Sequence, residues 1–78
     1  MITQKELVFK YIQNFGIITS MDAVRKLNII DLQSNIRNLK NDGITILSKW
    51  VTNRKTKKTY KVYALKQKYI DEYEKRVA

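Results

Sequence analysis

Seventy-eight residues, 44% of them hydrophobic, with a net charge of +9, describe one small and strongly basic domain with a single core. The chain has neither cysteine nor histidine, which removes disulfide staples, thiol chemistry and nearly all structural zinc designs, and fits a reducing cytoplasm. No apolar run approaches the roughly 18 residues that a membrane span needs, and no signal-peptide pattern opens the chain. The charge is concentrated. Lys49, Arg54, Lys55, Lys57, Lys58, Lys61, Lys66 and Lys68 occupy one stretch without an acid between them, so one face is expected to draw in polyanions. Lys, Asn and Ile are plentiful and Lys far exceeds Arg, which fits AT-rich coding in low-GC bacteria or their phages.

Thr3-Gln4-Lys5-Glu6 fits a capping box, with the Thr3 hydroxyl and Glu6 carboxylate closing a helix start reciprocally. Leu7, Val8, Tyr11, Ile12 and Phe15 follow as one apolar stripe on a first helix of about three turns. Gly16 ends it in a left-handed conformation. Ile17-Ile18 is long enough only for a small strand. Thr19-Ser20-Met21-Asp22 opens a second helix in which Met21, Val24 and Leu27 point one way, and Ala23 lets another helix approach closely. Asn28 tolerates positive φ and ends this helix sharply. After Ile29-Ile30, Asp31 is a good N-cap for a third helix over 31–42, with Leu32, Ile36 and Leu39 as its buried edge and Gly43 beyond its end.

Ile44 to Val51 is rich in β-branched residues and contains Trp50, which predicts a strand. Residues 52–58 hold no apolar side chain and form an exposed tip. A return strand from about Thr59 to Leu65 alternates Tyr60, Val62 and Ala64 with Lys61, Tyr63 and Leu65. Residues 67–77 are helical, with Tyr69, Ile70, Tyr73 and Val77 on one side. Two short helices joined by a tight turn and followed by a hairpin describe an α+β winged helix-turn-helix: three helices plus a β-hairpin wing over residues 1–66, and an additional C-terminal helix over 67–78.

The chain resembles small phage-type winged helix-turn-helix DNA-binding proteins. The matching segments are Ile18-Thr19-Ser20-Met21-Asp22-Ala23, then Asn28-Ile29, then Leu32 through Gly43 with Ile36 and Leu39. A Trp-Val strand within Leu47 to Val51 and a basic, Tyr-containing return strand within Tyr60 to Leu65 complete the pattern. Asn28 stands where the pattern has glycine and keeps the left-handed option open. The likeness covers about residues 4–66 and implies double-stranded DNA as the partner, by analogy, since a fold alone never establishes an activity.

In that arrangement the third helix enters the major groove, and Gln33, Ser34, Arg37 and Asn38 face outward to meet base edges. Polar residues also cover the solvated face of any amphipathic helix; the winged context favours DNA. Arg54, Lys55, Lys57 and Lys58 at the tip of the wing (52–59) are expected on phosphates or in the minor groove, with Lys49 and Lys61 extending the surface. Thr19 and Ser20 offer a hydroxyl or backbone N–H to a phosphate, although capping explains them equally well. Trp50, Tyr60 and Tyr63 invite base stacking, but aromatics on paired strands more often pack across the pair. The stripe Tyr69, Ile70, Tyr73 and Val77 fits either a cover for the core or a homodimer interface. A domain of this size draws only about 3–5 kcal/mol from its core, so pairing would help.

No cofactor, metal site or catalytic pair is expected. Glu6, Asp22, Asp31 and Asp42 read as helix-end residues, and Asp71, Glu72 and Glu74 share a solvated helical face. The leading expectation is a small phage or mobile-element transcriptional regulator in the cytoplasm of a bacterial host cell. The competing one is a phage-encoded inhibitor whose positive hairpin binds a host protein.

Overall fold

The computed structural model describes residues 2–77. Helix α1 (Gln4–Phe15) is followed by β1 (Ile17–Thr19), α2 (Ser20–Leu27), α3 (Leu32–Asn41), β2 (Leu47–Thr52), β3 (Thr59–Ala64) and α4 (Gln67–Val77). The strands form an antiparallel sheet in the order β1-β3-β2. The architecture is α+β, three helices and a β-hairpin wing with a further C-terminal helix.

Local chemistry sets the helix ends. Thr3 Oγ1 accepts from the Glu6 N–H at 3.3 Å. The full reciprocal box forms at α2, where Thr19 Oγ1 accepts from the Asp22 N–H at 3.2 Å and the Asp22 carboxylate accepts from the Thr19 N–H at 3.3 Å. Asp31 caps α3 by accepting from the Ser34 N–H at 3.1 Å and the Ser34 hydroxyl at 2.6 Å. Asn28 ends α2 at φ 57° and ψ 37°, and so does the work of a turn glycine. Gly16 ends α1 at φ 89°. A second constraint acts there: a Cβ at Gly16 would lie 2.8 Å from the Tyr69 ring, so only glycine fits both the backbone and the packing of α4.

The sheet is covered on both faces. On one side Ile18, Ile46 and Tyr63 pack with Val8 and Ile12 of α1, Ala23 of α2, Ile29, and Leu32, Ile36 and Leu39 of α3. On the other, Ile17, Val51, Val62 and Ala64 pack with Ile70, and Tyr69, Tyr73 and Val77 flank them. The alternation along β3 sorts Tyr60, Val62 and Ala64 toward α4 and Tyr63 toward the three-helix layer. Because β3 is central and covered twice, Val62, Tyr63 and Ala64 are buried in succession.

Four expectations change. Met21 and Val24 are exposed; α2 docks through Ala23, fully buried as its expected close approach requires, with Leu27 one turn on. The small side chain forms the contact ridge because it allows the closest approach. Phe15 is also exposed, and its ring lies on Tyr11 at a centroid distance of 4.6 Å. Strand β2 begins at Leu47 rather than Ile44. The Ile44 N–H bonds back to the Leu39 carbonyl as α3 closes, and Ile44 and Ile46 pack in the helical core before strand pairing starts. Thr52 belongs to the strand and not to the tip: it pairs with Thr59, and their hydroxyls lie 2.9 Å apart.

Candidate nucleic-acid interface

Helix α3 is anchored along Leu32, Asn35, Ile36 and Leu39. Asn35 is the polar member of this buried edge. Its side-chain amide donates to the Gln4 side-chain carbonyl at 3.2 Å and to the Asp31 backbone carbonyl at 3.0 Å, which ties the helix to α1. With that face fixed, Gln33, Arg37 and Asn38 project into solvent. Ser34 is half-buried and its hydroxyl is engaged with Asp31, so of the four outward candidates it is the one committed to the cap.

Between α3 and the hairpin lies a groove of about 230 Å³ lined by Gln33, Ile36, Arg37, Lys40, Lys61 and Tyr63. Three cations and an amide meet there, and no lining residue is an acid. The nearby carboxylates are occupied elsewhere. Asp42 pairs with Lys5 at 2.6 Å, and Asp31 is held below the usual carboxylate range chiefly by its hydrogen bonds from Ser34, with the Arg37 charge adding to the effect. The groove is therefore a concentrated positive field beside a helix face that carries guanidinium and amide donors.

The wing tip is a tight turn built on Asn53. Its side-chain oxygen accepts from the Lys55 N–H at 2.8 Å and the Thr56 N–H at 3.2 Å. Its backbone bonds to Lys57 at 2.7 Å and Lys58 at 2.9 Å, and Lys57 takes φ 57°. Arg54, Lys55, Lys57 and Lys58 all stand exposed on this frame. A frame fixed by its own hydrogen bonds presents its cations with little ordering entropy left to lose.

The remaining basic and hydroxyl candidates divide among three places. Lys61 joins Arg37 in the α3 groove. Ser20 and Lys58 border a second cleft of about 560 Å³ on the α4 side of the hairpin, together with Arg25 and the Tyr60–Tyr73 pair. Thr19 borders the same cleft but is 5% exposed, with its hydroxyl used in the cap. Lys49 joins neither cationic surface. It pairs across the sheet with Val62 on the α4 face, and its ammonium meets Glu74 at 2.6 Å, a partner that raises its pKa. Sequence order placed Lys49 among the wing cations; strand alternation turns it away from Lys61.

Lys40 is the groove residue that the sequence reading passed over. Its spacing from Gln33 and Arg37, at i, i+4 and i+7, was a usable signal. Asn53 likewise read only as a polar tip residue. Of the three strand aromatics, Tyr63 is buried, and Tyr60 packs on Tyr73 of α4 with rings nearly perpendicular rather than on an aromatic across the strand pair, the expected partner. Trp50 also departs from that expectation and stays 63% exposed. The stripe Tyr69, Ile70, Tyr73 and Val77 packs on the sheet of its own chain. Among the described residues no cluster of acids has metal-binding geometry, and no helix is long and apolar enough to cross a membrane.

A family model described as a winged helix-turn-helix domain matches residues 3–68, which reaches from the cap of α1 into the start of α4. No curated protein and no solved structure matches the chain.

Proposed function

The chain belongs to the winged helix-turn-helix domain family, and from that membership we propose that it binds double-stranded DNA as a small transcriptional regulator of phage or mobile-element type in a bacterial cytoplasm. The observation that carries this reading is the acid-free groove in which Arg37 and Lys40 of α3 face Lys61 of the hairpin, next to a tip bearing Arg54, Lys55, Lys57 and Lys58. In this reading α3 enters the major groove and Gln33, Arg37 and Asn38 meet base edges, Arg forking onto guanine and the amides onto adenine. The wing tip lies on phosphates or in the adjacent minor groove and supplies affinity that weakens with salt.

The test is fluorescence anisotropy on labelled duplexes tiled across the upstream region of the chain's own gene, against shuffled duplexes, at several salt concentrations. A sequence-specific regulator prefers one tile by about a hundredfold or more and retains that preference as salt rises. Equal binding to every duplex that fades at physiological salt defeats the regulator reading and leaves a general polyanion surface.

A further inference from the structure

Trp50 is the chain's single tryptophan, and most of its indole lies in water although strand pairing gives it a neighbour. It stands directly across from Lys61. The Lys61 ammonium lies 5.7 Å from the Trp50 ring centroid and 5.8 Å from that of Tyr63, so two aromatic faces steer one cation. Lys61 and Tyr63 also line the α3 groove. Along the hairpin, Trp50 therefore sits between that groove and the wing tip, on the sheet face that Lys61 shares. An exposed indole at this point contributes little burial to the core, and the surroundings that would receive a partner are cationic: Arg37, Lys40 and Lys61 on one side, the tip on the other.

We propose that Trp50 contacts duplex DNA, its free face packing on a deoxyribose of the backbone strand that separates the groove read by α3 from the groove met by the wing. Lys61, held between the Trp50 and Tyr63 rings, meets the adjacent phosphate. A sugar is the fitting partner because duplex bases are stacked and paired, so a side chain rising from the sheet between the two grooves meets the backbone edge. The charge around it selects a polyanion over an acidic-poor protein surface. This contact rests on the DNA-binding reading above and adds a residue and a chemical moiety to it.

The experiment uses the natural chain, because a lone tryptophan reports on itself alone. Duplex anisotropy and acrylamide quenching of tryptophan emission are read in the same samples through a titration, with a single-stranded oligonucleotide of the same sequence as the second arm. Saturating duplex is expected to shield Trp50 and lower its quenching constant. Trp50→Ala is expected to weaken duplex binding about tenfold and Trp50→Phe less, with circular dichroism confirming that both fold. Rising anisotropy with unchanged quenching overturns the contact while DNA binding stands. Shielding by the single strand but not by the duplex overturns the backbone assignment in favour of base stacking. No anisotropy change on any duplex defeats the DNA-binding reading and the contact together.

Discussion

The side-chain amide of Asn35, buried on the inner edge of α3, donates to the Gln4 side-chain carbonyl of α1 at 3.2 Å and holds the backbone carbonyl of Asp31 with its other hydrogen bond. This polar contact joins the apolar packing of Leu32, Ile36 and Leu39 on α1, on the face opposite to Gln33 and Arg37. A buried amide with both partners present costs little; one left without them costs its full desolvation.

Asn35→Ala is expected to lower stability by about 1–2 kcal/mol in urea denaturation, because it opens a small void and frees the Asp31 carbonyl. Gln4→Ala is expected to cost less, about 0.5–1 kcal/mol, since Asn35 keeps its bond to Asp31. Equal losses from the two substitutions would show that the cross-helix bond, and not the local one, carries the effect.

Arg37→Ala and Lys58→Ala separate reading from holding. The first is expected to remove about 1–3 kcal/mol of discrimination at one base pair, and the second to weaken all duplexes and reduce the salt slope by about one. Binding across a set of single-base-pair operator variants measures both. A uniform loss for Arg37→Ala would end its assignment as a base reader.

Lys49 makes the opposite prediction. Its ion pair with Glu74 lies on the α4 face, so Lys49→Ala is expected to change duplex affinity by no more than about twofold and to leave the salt slope unchanged. The same salt titration run on Lys58→Ala supplies the contrast. A slope reduced as much by Lys49→Ala as by Lys58→Ala would return Lys49 to the DNA surface.

Tyr73 gives the fold a dependence on alkaline pH. Burial first, and then its hydrogen bond with Tyr60, raise its pKa well above the ordinary phenol value. Because the folded pKa exceeds the unfolded one, this stabilisation is complete below about pH 10, the unfolded value, and is lost as pH rises toward the folded value. Burial raises Tyr11 as well, so ultraviolet titration is expected to show a late phenol step to which both contribute, and Tyr73→Phe to diminish that step. Denaturation midpoints at about pH 9 and pH 11 are expected to differ less in Tyr73→Phe than in the natural chain. An unchanged late phenol in Tyr73→Phe would assign it to another tyrosine.

Much of the framework was legible in residue order because the forces behind it act over a few residues. Thr3, Thr19 and Asp31 cap their helices through side chains that reach three positions along the chain. Asn28 turns the chain through its own backbone preference. Leu32, Ile36 and Leu39 mark the inner edge of α3 by spacing alone, and so expose Gln33 and Arg37 opposite. Alternation assigned the residues of β3 to two faces before any partner for those faces was known.

Only the tertiary structure decided which cations act together and which aromatic remains outside. Lys40 and Lys61 share a groove because α3 and β3 are brought side by side, while Lys49 is withdrawn because α4 returns to the far face with Glu74 in reach. Ala23 rather than Met21 meets the core because helix docking rewards close approach over side-chain size. Trp50 stays largely in water, whereas Tyr60 gains Tyr73 of α4 as a cover. Composition marks a residue as charged or apolar; its surroundings come from segments far away in the chain, and those appear only when the chain is folded.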